Sequence, residues 1–141
     1  MSKKFDRAVA LVIESEGGAR YTHYAADPGG ATKYGISQRA YPALDIAALT
    51  EEQAREIYYR DYWTPLGCEF LPWPLCYVLF DTGVLHGPTK AKLWYSSADW
   101  RDILWQRLKH YSRSNNVGFV RGWLNRTLAV WEASKAEWKE V

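Results

Sequence analysis

Two carboxylates and a hydroxyl fall within one short stretch of this chain: Glu16 precedes Gly17-Gly18, and Asp27-Pro28-Gly29-Gly30 leads into Thr32. Such a set suits hydrolysis of a glycosidic bond. That reaction needs one acid to protonate the leaving oxygen and a second carboxylate to assist water or stabilise an oxocarbenium-like state. Glu16 suits the first role because it ends an apolar-periodic stretch, where a helix dipole presents its negative end, and because nearby aromatic rings would partly bury it. Asp27, on a polar turn, is expected to stay ionised. Each residue also admits a plain reading. Glu16 could be a solvated acid at a helix end, Asp27 a turn-former bonding backbone N–H groups, and Thr32 an ordinary strand residue.

The elements that must position these groups follow from periodicity. Phe5, Ala8, Val9, Val12 and Ile13 repeat as one helix face, and Gly17-Gly18 supply the stop, so the first helix is expected over 4–16. Residues 19–33 read as a small irregular hairpin around the Asp27-Pro28-Gly29-Gly30 turn, the one good β candidate. A short helix is expected over 37–41, and Thr50-Glu51-Glu52-Gln53 reads as a capping box for a helix over 51–62. After Pro65, Gly67, Pro72 and Pro74, the apolar run 75–85, interrupted by Asp81 and ended by Gly87-Pro88, is the expected buried central helix. Ser96 or Ser97 would cap a helix whose apolar face is Trp100, Ile103, Leu104, Leu108 and Tyr111. The last helix is expected over 117–140, with Phe119, Val120, Trp123, Leu124, Leu128, Trp131 and Trp138 on its apolar face. The fold class is therefore mainly α, a helical α+β arrangement with a small β-hairpin after the first helix. One domain spans 1–141, with the chemistry-bearing segment at 5–36 and a helical remainder at 50–141.

Composition narrows the function. A chain of 141 residues has room for one ordinary core. Its 18 Lys and Arg against 16 Asp and Glu leave a formal charge of +2, too little for a dedicated nucleic-acid binder. Eight Trp and ten Tyr exceed what such a core needs, which places some rings at a surface or cleft, where pyranose faces stack. Cys68 and Cys76 lack metal-ligand spacing and read as two reduced core thiols or one incidental bridge. His23, His86 and His110 are too scattered for a metal site. No metal or cofactor is expected. The start at Met1-Ser2-Lys3-Lys4 lacks a secretory apolar segment, and no stretch reaches membrane-span length. The expectation is a product made in a cytoplasm, which something else must carry to any substrate outside.

Four ordered places carry a family resemblance: 16–36, Ile57-Tyr58-Tyr59-Arg60-Asp61-Tyr62-Trp63, Phe80-Asp81-Thr82 and Arg121-Gly122-Trp123-Leu124-Asn125-Arg126. From about Phe5 to Arg126 the chain resembles the phage and bacterial muramidases of glycoside hydrolase family 108. The resemblance implies a lysozyme-like peptidoglycan hydrolase that cleaves the β-1,4 bond between N-acetylmuramic acid and N-acetylglucosamine, with the essential glutamate at Glu16. Similarity to phage-type lysozymes further implies that Asp27 and Thr32 orient the attacking water. Substrate contact is assigned to Tyr21, Gly30, Tyr34, Trp63 and Asp81. The partner is the peptidoglycan glycan strand, met by a monomer, with no nucleic acid and no membrane span. The alternative is a non-catalytic glycan-binding or structural virion module on the same fold.

The chain also departs from the family pattern. Ala19-Arg20 are inserted before Tyr21, Tyr24 stands where the family often has Asp, and Gly83-Val84-Leu85 replace the usual Ala-Val-Asn. The stretch 88–99 is too short for a full peptidoglycan-binding segment. Asp81, inside an apolar run, needs a partner such as a hydroxyl, Arg121 or Arg126, or else lines the cleft floor. Tyr34, Tyr58, Tyr62, Trp63 and Trp73 are either sugar platforms or core rings. Lys90, Lys92, Arg101, Arg107, Lys109 and Arg113 read as a solvated face or as contacts to an anionic wall. Ser15 and Ser37 lack the strand-turn-helix setting of a hydrolase nucleophile.

Overall fold

Ser2 opens helix α1 (Lys3–Ser15) in the computed structural model, which describes residues 1–23 and 29–136. Its hydroxyl accepts from the backbone N–H of Phe5, satisfying a donor that the first turn leaves unpaired. The face Phe5, Ala8, Val9, Val12 and Ile13 is buried, as its spacing predicts. Glu16 is the C-cap, and Gly17 and Gly18 leave the helix with φ of 97° and 62°, a left-handed turn that glycine makes at least cost.

The mainly α class with one small hairpin after α1 holds, but the hairpin sits later than periodicity suggests. Strands β1 (Thr32–Lys33) and β2 (Ile36–Ser37) pair antiparallel across Tyr34-Gly35, and Thr22 bridges to Thr32 from the other side. Ser37 is thus a strand residue, and 38–40 are turns in place of the expected short helix. Five residues before Pro42 could not outweigh the pairing of Ile36 and Ser37 with the strand before them. The turn 27–28 lies outside the described residues.

Thr50 and Gln53 form the expected capping box at the start of α2 (Glu51–Tyr58). Beyond Tyr58 the chain widens into a π-helical turn, Tyr59–Trp63, rather than continuing as α-helix to residue 62. This turn delivers Trp63 into the core, edge-on to Phe5 and Phe80 at 5.3 Å from each. The indole N–H of Trp63 donates to Glu69 at 2.7 Å, which satisfies its polar edge.

Helix α3 (Leu75–His86) is the buried centre, with every residue from Leu75 to Gly83 inaccessible, Asp81 included. An all-round apolar helix must be enclosed. A Cβ on Gly83 would lie 2.5 Å from Leu66 Cδ1, so glycine permits that close approach. Gly87-Pro88 do end α3, but they also begin a helix that periodicity does not reveal, α4 (Pro88–Trp94), with Pro88 at its tolerant first position. Helix α5 (Trp100–Ser112) is capped by Asp99, whose side chain accepts from the Arg101 N–H; Ser97 instead donates to Asp102. Both cysteines are free and buried, and burial pushes the Cys76 thiol up to about 11. No helix among the described residues is long and apolar enough to cross a membrane.

Helix α6 (Val117–Lys135) corrects the expected apolar face. Its buried positions are Thr127, Val130 and Ser134, whereas Phe119, Leu128 and Trp131 are 59%, 64% and 39% exposed. The helix is turned so that polar groups on α3 and α5 find partners: the Tyr111 hydroxyl lies 3.1 Å from Thr127 Oγ1, and Arg126 reaches Asp81. Residues 137–140, including Trp138, lie outside the described residues.

His86 joins this polar seam. Its Nε2 is 2.8 Å from the Tyr111 hydroxyl, to which Arg107 Nε also donates. Burial first, then the charges of Arg107, His110 and Lys90, push the imidazole down to about 3, with Asp81 opposing. The folded value lies below the unfolded one, so the unfolded chain binds more protons as the pH falls. The stabilising contribution of neutral His86 is therefore complete above about pH 6.5 and is lost towards about pH 3, at a limiting slope of about 1.4 kcal/mol per pH unit. Urea titrations between pH 7 and 4 are expected to show that decline, and His86→Gln to flatten it. Equal slopes in the two proteins would refute the assignment.

Candidate active site

Helix α1 ends at Glu16 beside the β1–β2 turn, and the two are locked by backbone: Tyr34 N–H donates to Gly18 O at 3.1 Å. Gly35 then passes against the Glu16 side chain. A Cβ there would lie 2.8 Å from both Cβ and Cγ of Glu16 and would collide with the Tyr58 hydroxyl, and its φ of 78° already favours glycine. That hydroxyl donates to Tyr34 O at 2.7 Å. Tyr34 itself has φ 54°, a left-handed conformation held by these two hydrogen bonds.

A cavity of about 320 Å³ opens over this corner, lined by Glu16, Gly35, Ser37, Tyr41, Tyr58, Tyr62, Val84 and Leu85, among others. Tyr41 is fixed by donating to Asp61 at 2.7 Å, and Asp61 is held below the usual carboxylate range by its hydrogen bonds from Arg60. Burial raises the hydroxyl of Tyr58, and the Glu16 charge adds to it; burial likewise raises Tyr62, with Asp61 and Glu16 contributing. Both phenols therefore remain neutral donors beside the carboxylate. Glu16 is a quarter exposed. Its Oε1 accepts from Arg126 Nη1 at 2.5 Å, and Arg126 also donates to Asp81 Oδ1 through Nε and Nη2 at 3.1 and 3.0 Å.

The residues singled out by sequence are placed unequally. Glu16 lines the cavity. Thr32 is half-buried in β1, opposite Ser37, and does not line it. Asp27 lies outside the described residues. Tyr21 is 45% exposed, and Gly30 has φ 71° with only Gln38 near its absent side chain, at 3.6 Å. Tyr34 is half-buried, with Lys33 Nζ 5.5 Å from its ring centre. Trp63 has no exposed surface and is not brought to the cleft, so its ring has no face to offer a sugar. Asp81 is likewise inaccessible and meets the site only through Arg126. Trp73 stacks on Tyr77 at 5.2 Å, away from the cavity. Arg107, expected on a solvated face, is fully buried and donates to Asp81 Oδ2 at 2.8 Å.

Sequence reasoning did not single out Tyr41 or Ser37 as cleft residues, nor Arg126 as a partner of Glu16. Tyr41, just before Pro42, carried no periodic signal, and Arg126 is 110 residues from Glu16. The cavity wall is apolar at Val84 and Leu85.

Gly35→Ala tests the close approach. The strained φ and the displacement of Glu16 are expected to lower activity about 100-fold, as an ångström of misplacement can. Gly122→Ala, at an ordinary helical φ with nothing within 4 Å of the added carbon, is expected to keep most of its activity. Turnover assays on the two purified variants decide, and a fully active Gly35→Ala would remove Gly35 from any part in holding Glu16.

Glu16, at a helix terminus, thus faces an open cavity lined by Tyr41, Tyr58 and Tyr62. The model of the glycosyl hydrolase 108 family matches residues 9–87, more than half of the chain, and the chain belongs to that family. Both arginines of the charge network, Arg107 and Arg126, come from beyond the matched stretch. The fold is also similar to that described as the structure of Brucella abortus SagA, with a TM-score of 0.76 at 24% identity over 92% of each chain. Among curated proteins no sequence match is found.

Proposed function

We propose that this glycoside hydrolase is an N-acetylmuramidase that cleaves the β-1,4 bond between N-acetylmuramic acid and N-acetylglucosamine in peptidoglycan. The observation that carries the reading is the Glu16 carboxyl group at the cavity, backed by Gly35 and flanked by Tyr58 and Tyr62. In this reading the Glu16 proton passes to the glycosidic oxygen as its bond to the anomeric carbon breaks. Water adds to that carbon from the opposite face and gives its proton to Asp27; Thr32, which does not line the cavity, is left outside the reaction. Tyr41, Tyr62 and the apolar wall at Val84 and Leu85 receive sugar faces. An enzyme that acts on cell wall in this way fits a phage lysis protein, or a lysozyme carried in a virion.

Digestion of purified peptidoglycan, with mass spectrometry of the products, tests the reaction. Fragments ending in reducing N-acetylmuramic acid are expected, and a water molecule held by Asp27 predicts inversion at the anomeric carbon. Fragments ending in reducing N-acetylglucosamine, or saturable binding without new reducing ends, would overturn the proposal.

A further inference from the structure

Four charged side chains from four elements alternate in sign from the core to the cleft: Arg107 on α5, Asp81 on α3, Arg126 on α6 and Glu16 at the end of α1. Arg107 and Asp81 are fully inaccessible, and the Arg126 side chain is 9% exposed. Burial alone would raise the Asp81 carboxyl; the Arg126 and Arg107 guanidiniums outweigh it and hold Asp81 low, as an anion. Arg126 therefore sits on a fixed negative charge. It uses one edge, Nε and Nη2, for Asp81 and turns the remaining nitrogen, Nη1, to Glu16.

Glu16 needs such a hold. It follows the last helical residue, and beyond their chain neighbours no described residue comes within 4 Å of where a side chain on the next two glycines would start. On that side the backbone does not restrict it. Gly35 closes one side, and Arg126 is the polar partner of its carboxylate among the described residues. With Oε1 taken by Arg126, Oε2 is the oxygen left to meet a ligand.

We infer that Arg126 is a positioning residue for the reaction: braced by Asp81 and Arg107, it fixes the Glu16 carboxyl group so that one oxygen faces the glycosidic bond. This rests on the muramidase reading. A planar guanidinium can serve two carboxylates along two fixed directions, whereas an ammonium group of similar reach is a point charge that cannot keep both. The core of the protein is thereby coupled to its acid through α6, a helix distant in sequence from the catalytic segment.

The test compares wild type, Arg126→Lys, Arg126→Ala and, as a control, the exposed neighbour Arg121→Gln, on soluble peptidoglycan glycan oligomers. Arg126→Lys keeps a positive charge beside Asp81 and so preserves the fold. Both Arg126 variants are expected to lose about 30- to 100-fold in kcat with KM changed less than about threefold, because orientation rather than binding is lost. Methylguanidinium is expected to restore part of the kcat of Arg126→Ala and none of that of Arg126→Lys. Arg121→Gln should match wild type. Folded Arg126 variants within about twofold of wild type in kcat would overturn this inference while leaving the muramidase intact. A kcat loss that equals the unfolded fraction measured by urea denaturation, without rescue, would assign Arg126 to folding alone and overturn it too. An inert wild type would overturn the muramidase reading and this inference with it.

Discussion

Glu16→Gln is expected to lower the rate of peptidoglycan hydrolysis by at least 100-fold and to leave the fold intact. General acid catalysis contributes about 10²- to 10⁴-fold, and an amide has no proton of suitable acidity to give to a departing sugar oxygen. The variant keeps the shape that Gly35 and Tyr58 press upon, and the amide oxygen can still accept from Arg126, so no buried donor is orphaned. Because the Glu16 side chain is a quarter exposed, its charge is not among those the core depends on, and stability should change by less than about 1 kcal/mol. Release of reducing ends and urea denaturation of the same preparation measure the two effects separately. A folded Glu16→Gln with undiminished hydrolysis would take the acid role from this residue.

Asp81→Asn is expected to destabilise the fold by about 3–5 kcal/mol, the cost of leaving a buried charge without its counter-ion. The network holds two guanidiniums and two carboxylates, and Asp81 is the only one of the four that touches both arginines. Without its charge, Arg107, which has no exposed surface, faces a neutral amide and the hydroxyls of Thr82 and Tyr111. A domain of this size has roughly 5–15 kcal/mol in total, so the variant should unfold at markedly lower urea concentration. Activity per folded molecule should fall as well, since Arg126 loses the anchor against which it holds Glu16. A change under about 1 kcal/mol would mean that water already satisfies the buried arginines and that the network is not closed.

Much of this molecule could be read before any coordinates. The α1 face, the stop at Gly17-Gly18, the capping box at Thr50 and the all-apolar helix around Asp81 are local signals, set by residues within one or two turns of each other. They emerged where expected. The position of Glu16 at a helix end was legible for the same reason, because it is written in neighbouring residues.

The misplacements have a common physical origin. Ser37 became a strand residue because its backbone pairs with Thr32, and the π-helical turn at Tyr59–Trp63 carries Trp63 into a ring cluster with Phe5 and Phe80. Helix α6 shows leucines and aromatic rings on more than one side, so periodicity could not tell which side would dock. The side that docks is the one whose Arg126 and Thr127 satisfy buried groups of α3 and α5. Arg107 looked like a surface charge because its one anionic partner, Asp81, is 26 residues away.

Sequence alone thus determined the helical class, the hairpin after the first helix, the family and the place of Glu16 at a helix end, because hydrophobic period, caps and glycine stops act over a few residues. Tertiary structure alone decided that Trp63 belongs to the core, that Tyr41 and Tyr62 face the cavity, and that Arg126 clasps Glu16 across 110 residues of chain. Those outcomes depend on which buried charges must be neutralised and which surfaces fit, and such long-range demands leave no mark on local spacing.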